Sequence, residues 1–182
     1  MKTLVKWTVT DYHRLIETGI LSNRQVELLQ GELVEMPPEG PIHSYVTEGG
    51  VHYLRSLLQG LALVREAHPI TLANSEPQPD VAIVQPPRQR YLQHHPYPQD
   101  IFWLIEISQS TLDYDLNDKR KTYALAGIPE YWVVNLKANH IHVFRQHHDA
   151  DYLESLVINQ GIISPQAFPT IEVSINRFFA DL

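Results

Sequence analysis

Ile101-Phe102-Trp103-Leu104-Ile105-Glu106-Ile107 is an apolar run interrupted by a single carboxylate. Its length and its content of β-branched and aromatic residues predict a strand buried on both faces, at the centre of a sheet. Ionising Glu106 there is costly unless a cation or several hydrogen-bond donors meet it, because burial strips a carboxylate of its hydration. Either Glu106 has a partner from another element, or it stands at the strand's open end and caps a helix or pairs with a lysine.

Alternation puts Phe102, Leu104, Glu106 and Ser108 on one face of this strand and Trp103, Ile105 and Ile107 on the other. Upstream, the turn-rich Asn74-Ser75-Glu76-Pro77-Gln78-Pro79 precedes Asp80-Val81-Ala82-Ile83-Val84, an acid opening a short apolar strand. The proline-rich loop from Pro86 to Pro98 joins the two strands. Neighbouring strands lie about 4.8 Å apart, so Asp80 and Glu106 facing the same way can share one cation. Carboxylate oxygens are hard ligands and the chain has no cysteine, which points to magnesium or manganese.

Metal-dependent phosphodiester hydrolysis also calls for a cationic group near the reacting phosphate. Position 108, on the same face as Glu106, is serine. The next helix, predicted from Asp115 to Ala126 and stopped by Gly127 and Ile128-Pro129, carries Lys119 and Lys121. With Leu116 and Tyr123 marking its inward stripe, Lys119 falls about 60° from that stripe and Lys121 about 140° away, toward solvent. Lys119 is the candidate, and its competing role is an ion pair with Asp115 one turn earlier.

Toward the amino terminus, Thr10 is a plausible cap for a helix of about two turns ending at Gly19. Val26-Glu27-Leu28-Leu29, Gln30-Gly31 and Glu32-Leu33-Val34-Glu35-Met36 then read as a hairpin stopped by Pro37 and Pro38. From about Ile42 to Leu61 the apolar spacing predicts an amphipathic helix, weakened at Gly49-Gly50. Ala62 to Leu72 has β character. After the central region, strands are predicted at Glu130–Asn135, His140–Phe144 and Tyr152–Ile158, with a last helix capped by Ser174 and reaching Phe179. Tyr131 and Trp132 read as core or as a subunit contact, in preference to base-stacking residues. His140 and His142 alternate on one strand face and, without a third ligand in the pattern, read as an ordinary surface strand in preference to a metal site, while Glu76, in the loop before Asp80, either is plainly solvated or tunes the cation site.

The 182 residues suit one domain, and the net charge of −7 argues against a broad basic grip on nucleic acid. No stretch is long and apolar enough to span a bilayer, and the start lacks a basic-then-apolar leader, so the expected location is cytoplasmic. Without cysteine, disulfides and thiol catalysis are excluded.

Pro79-Asp80, Glu106-Ile107-Ser108, Ser110-Thr111, Tyr114-Asp115, Lys119, Tyr123 and Ala126-Gly127-Ile128-Pro129-Glu130-Tyr131-Trp132 together resemble the Uma-two family. Its members, abundant in cyanobacteria, are assigned to the PD-(D/E)XK nuclease superfamily as restriction-endonuclease-like proteins. Glu27-Leu28, Gly31-Glu32-Leu33-Val34-Glu35-Met36 and His43 also match. The resemblance covers most of the chain and implies an α/β (α+β) fold: a restriction-endonuclease-like mixed β-sheet flanked by helices, in one domain over residues 1–182. The amino-terminal helix and hairpin precede that core.

The resemblance further implies Asp80 and Glu106 as metal ligands for magnesium or manganese, and DNA as the substrate of phosphodiester hydrolysis. The superfamily pattern sets lysine two residues after the second acid; here Ser108 occupies that place, and Lys119 on the helix takes the lysine's part. Glu32 is the expected third acid, and His43, Ser108, Asp115 and Tyr123 are expected neighbours of the site. The alternative is a catalytically inactive module of the same fold that binds nucleic acid or forms a homodimer, which Ser108 and the net acidity favour.

Overall fold

The computed structural model of the chain describes residues 3–180. Helix α1 (Val9–Glu17) is capped by Thr8, whose hydroxyl accepts the Asp11 N–H while the Asp11 carboxylate accepts the Thr8 N–H. This reciprocal box satisfies two donors that a helix start leaves unpaired, and it sets the cap two residues before the expected Thr10. Strands β1 (Val26–Leu29) and β2 (Glu32–Glu35) form the predicted hairpin. Gln30 and Gly31 turn it with φ of 49° and 77°, the left-handed pair that a two-residue hairpin requires. A side chain at Gly31 would also collide with Lys6, 2.9 Å from its Cβ.

Helix α2 (Pro41–Leu57) begins with proline at its first position, where no N–H is needed. Its interior Gly50 lies against the Phe178 ring, which a Cβ would approach to 3.0 Å, so the weak point in the helical pattern is a close packing contact. Strand β3 (Leu63–Glu66) is shorter than the β character up to Leu72 suggested. Ala67 breaks it with φ of 46°, and the following loop buries Ile70 and Leu72 in the core instead.

The main sheet continues with β4 (Val81–Val84), β5 (Ile101–Ser108), β6 (Glu130–Asn135), β7 (His140–His148) and β8 (Asp151–Ile158), in the order β3-β4-β5-β6-β7-β8. Only β5 and β6 run parallel, and the helical crossover between them supplies the candidate lysine. That crossover is α3 (Leu112–Tyr114), a π-helical turn (Asp115–Lys119) and α4 (Arg120–Leu125), where the sequence pattern suggested one continuous helix. A small sheet of β9 (Ile162–Ile163) and β10 (Val173–Ser174) closes the chain, followed by a 3-10 turn at Ile175–Phe178 in place of the expected final helix.

The two faces of the sheet carry separate cores. On one, α2 and the 3-10 turn cover Trp103, Ile105, Ile107 and Trp132. On the other, Leu104, Tyr123, Tyr131 and Val133 pack together, so Tyr131 and Trp132 are core residues of opposite faces. Glu106 projects on the second face, at the end of the sheet where the crossover begins.

Candidate active site

In the antiparallel pairing of β4 and β5, Val81 faces Ile105, so Asp80 stands opposite Glu106. Asp80 Oδ2 accepts the Ile107 N–H at 2.6 Å and lies 3.2 Å from His43 Nε2, in the first turn of α2. Glu106 Oε1 accepts from Lys119 Nζ at 3.0 Å and from the Tyr123 hydroxyl at 2.8 Å. Lys119 Nζ is also 3.6 Å from Glu27 on β1. Glu27 in turn accepts from the Tyr114 hydroxyl and the Gln78 N–H. The buried lysine is thus braced between two buried carboxylates, one from the amino-terminal hairpin and one from a central strand of the main sheet.

The π turn explains how one helix face presents three site residues four apart. In an α-helix, positions four apart drift by about 40° around the axis. The wider π turn, hydrogen-bonded five apart, falls short of a full revolution in four residues and takes that drift back. Asp115, Lys119 and Tyr123 therefore stay in line and are all buried. Stepping a regular helix from Leu116 set Lys119 off the stripe, whereas in the folded chain it lies at the stripe's centre.

Ser108, two residues after Glu106 on the same strand face, donates to Asp115 Oδ2 at 2.7 Å, and Thr111 donates to the same oxygen at 2.6 Å. The position thus props an acid while the cation arrives from the crossover. His43, Ser108, Asp115 and Tyr123 are all brought to the site.

Glu32 is not. It is exposed on β2 and paired with Lys6, because hairpin pairing sets it at the turn, opposite Leu29 and away from the sheet. The hairpin acid that does reach Lys119 is Glu27. Its sequence signal is the same as that of Glu106, an acid inside a short apolar strand. Glu39, ahead of α2, is a second site neighbour that periodicity does not mark. Glu76 is buried elsewhere, bound to His13 and Thr71. His140 and His142 contact each other, and the one group of three or more metal-ligating side chains among the described residues lies elsewhere, at Glu39, His43 and Asp80.

Electrostatically the site is over-supplied with negative charge. Burial pushes the Glu106 carboxyl well above its usual range; Lys119 opposes that shift, and Asp80 and Asp115 add to it. Burial also raises Asp115, against the pull of Lys119 and its two hydroxyl donors. For Lys119, burial alone would lower the ammonium, but Glu106, Glu27 and Asp115 outweigh it and hold it charged well above the ordinary lysine value. His43 is lowered by burial and raised more by its hydrogen bond and attraction to Asp80.

Glu106, Asp115 and His43 therefore all bind protons more tightly in the folded chain than in the unfolded one. Stability from such groups is full below their unfolded values and is lost as pH rises through the folded ones. Without divalent ions, the melting temperature is expected to fall from about pH 5 to about pH 8. Added manganese, by compensating the same charge, should restore it. Thermal unfolding in a chelator across that range checks this, and a melting temperature that climbs steadily would contradict it.

These groups line a cavity of about 660 Å³ roofed by α1 and the hairpin, with Tyr12, Val26 and Met36 on its apolar side. The donor set suits a hard divalent cation: carboxylates from Asp80, Glu106 and Glu39, with no sulfur. A structural sign agrees, since His43 Nδ1 is buried at this wall with no hydrogen-bond partner.

A mixed sheet with facing acids at its end, and a lysine from the crossover helix bound to one of them, defines a protein of the restriction-endonuclease-like α/β class. The fold is similar to that in the crystal structure of "a putative nuclease belonging to DUF820 from Anabaena variabilis", with a TM-score of 0.66 and 17% identity over 85% of this chain and 89% of that one. The model of the Uma2 family, described as "Putative restriction endonuclease", matches residues 9–176. The chain belongs to that family. No functionally curated protein matches it. Among the described residues, no helix is long and apolar enough to cross a membrane.

Proposed function

We propose that this protein is a divalent-metal-dependent nuclease that hydrolyses phosphodiester bonds of DNA. The observation that carries this reading is the convergence of Asp80, Glu106 and Lys119, from three separate elements, on one cavity wall. Asp80 and Glu106 would hold magnesium or manganese, which when bound supplies Lewis-acid stabilisation of phosphate charge and an acidified water. Lys119 contributes a fixed positive charge where negative charge develops, and its two carboxylate partners prevent it from swinging away. Tyr123 fixes the Glu106 oxygen that Lys119 uses, and Ser108 and Thr111 fix Asp115 below them. The surplus of carboxylates repels a bare phosphate, so substrate entry depends on cation binding first.

The test is incubation with a mixed pool of single-stranded, double-stranded and branched DNA, with and without magnesium or manganese, beside Glu106→Ala and Lys119→Ala variants. Cleavage that needs the ion and disappears in both variants is the expected result. Cleavage untouched by either substitution would sink the site assignment. No cleavage, together with no calorimetric binding of either ion, would leave the inactive nucleic-acid-binding or dimerising module.

A further inference from the structure

Glu39, His43 and Asp80 each offer a ligand atom, and the three atoms lie within 4.8 Å of one another. His43 has a task on one side only. Its Nε2 faces Asp80 at 3.2 Å, while Nδ1 is buried, has no hydrogen-bond partner and faces the Glu39 carboxylate at 3.9 Å, beyond hydrogen-bonding reach. A histidine that merely orients an aspartate ordinarily gives its second nitrogen to a carbonyl or carboxylate. Here the ring is held in the first turn of α2 with one carboxylate beyond each nitrogen, Asp80 at Nε2 and Glu39 at Nδ1, and the Thr47 hydroxyl donates to its backbone carbonyl.

We propose that His43 is a direct ligand of the divalent ion, together with Asp80 and Glu39, and that its imidazole makes the site select manganese over magnesium. The inference rests on the metal-dependent reading of the same cavity and specifies its ion. Magnesium favours oxygen ligands and gives up water reluctantly. Imidazole is a ligand of first-row transition ions, so one nitrogen among carboxylates shifts preference toward manganese. Asp80 belongs to both donor sets, which ties the His43 ligand to the Glu106–Lys119 side of the cavity.

Manganese alone, added to the intact wild-type protein without DNA, tests this by pulsed electron paramagnetic resonance. A nitrogen hyperfine coupling that changes on selective ¹⁵N-histidine labelling is expected. Calorimetry should show manganese binding at least about tenfold tighter than magnesium, with His43→Asp still binding both ions and losing most of that ratio. Bound manganese with no histidine coupling, or a ratio unchanged in His43→Asp, would overturn the proposal. Either result, with metal-dependent DNA cleavage intact, leaves the nuclease reading standing. Histidine-coupled manganese in a protein that cuts no DNA keeps the ligand assignment and removes the nuclease reading.

Discussion

Replacing Lys119 with methionine should lower stability by about 3–5 kcal/mol, because removing one partner of a buried ion pair leaves its counter-charges unpaired. Two carboxylates are stranded at once: Glu106, 3% exposed, and Glu27, 1% exposed. Chemical denaturation at neutral pH measures the loss, and adding Glu106→Gln to the same chain should recover part of it. Cleavage should not recover, since the fixed positive charge is gone in both variants. A methionine variant as stable as the wild type would mean that water or a proton already neutralises these acids without Lys119.

Glu106→Gln alone should move stability and activity in opposite directions. Glutamine keeps an oxygen that can accept from Tyr123 and Lys119, and it removes a charge that burial makes costly. Metal-free thermal stability should therefore hold or rise. Cleavage should fall by about a thousandfold or more, as expected when electrostatic stabilisation of the reacting centre is lost. Such an exchange marks a group retained for chemistry at the expense of stability. A glutamine variant that loses stability and keeps its cleavage rate would give Glu106 a purely structural role.

Much of this site is legible in the chain because its elements are short and strongly patterned. Ile101–Ile107 announces a central strand by composition alone, and the Glu106 anomaly in it is real: the carboxylate is buried and bound to Lys119. Helical spacing prefers Lys119 to Lys121 but leaves it about 60° off the inward stripe, a gap that the π turn closes, and Asp80 follows from its position at a strand start. Glu27 is not assigned from pattern, because nothing local says that a two-stranded hairpin outside the main sheet folds across the sheet's end. Glu32 shows the same limit from the other side, since a matching motif cannot tell which acid of a hairpin turns inward. β3 ends early because Ala67 adopts a left-handed conformation, which period-two spacing does not register.

The π turn at Asp115–Lys119 carries a consequence for how such a chain tolerates insertion and deletion. Removing one residue from it would yield a more regular hydrogen-bond ladder and a helix that satisfies its own backbone more evenly. The shorter segment would look like an improvement by every local criterion of helix formation. It would also rotate Asp115 out of line with Lys119 and Tyr123, parting the acid held by Ser108 and Thr111 from the lysine and tyrosine that meet on Glu106. Length variation in this crossover is therefore constrained by the spacing of three side chains and not by the helix that carries them.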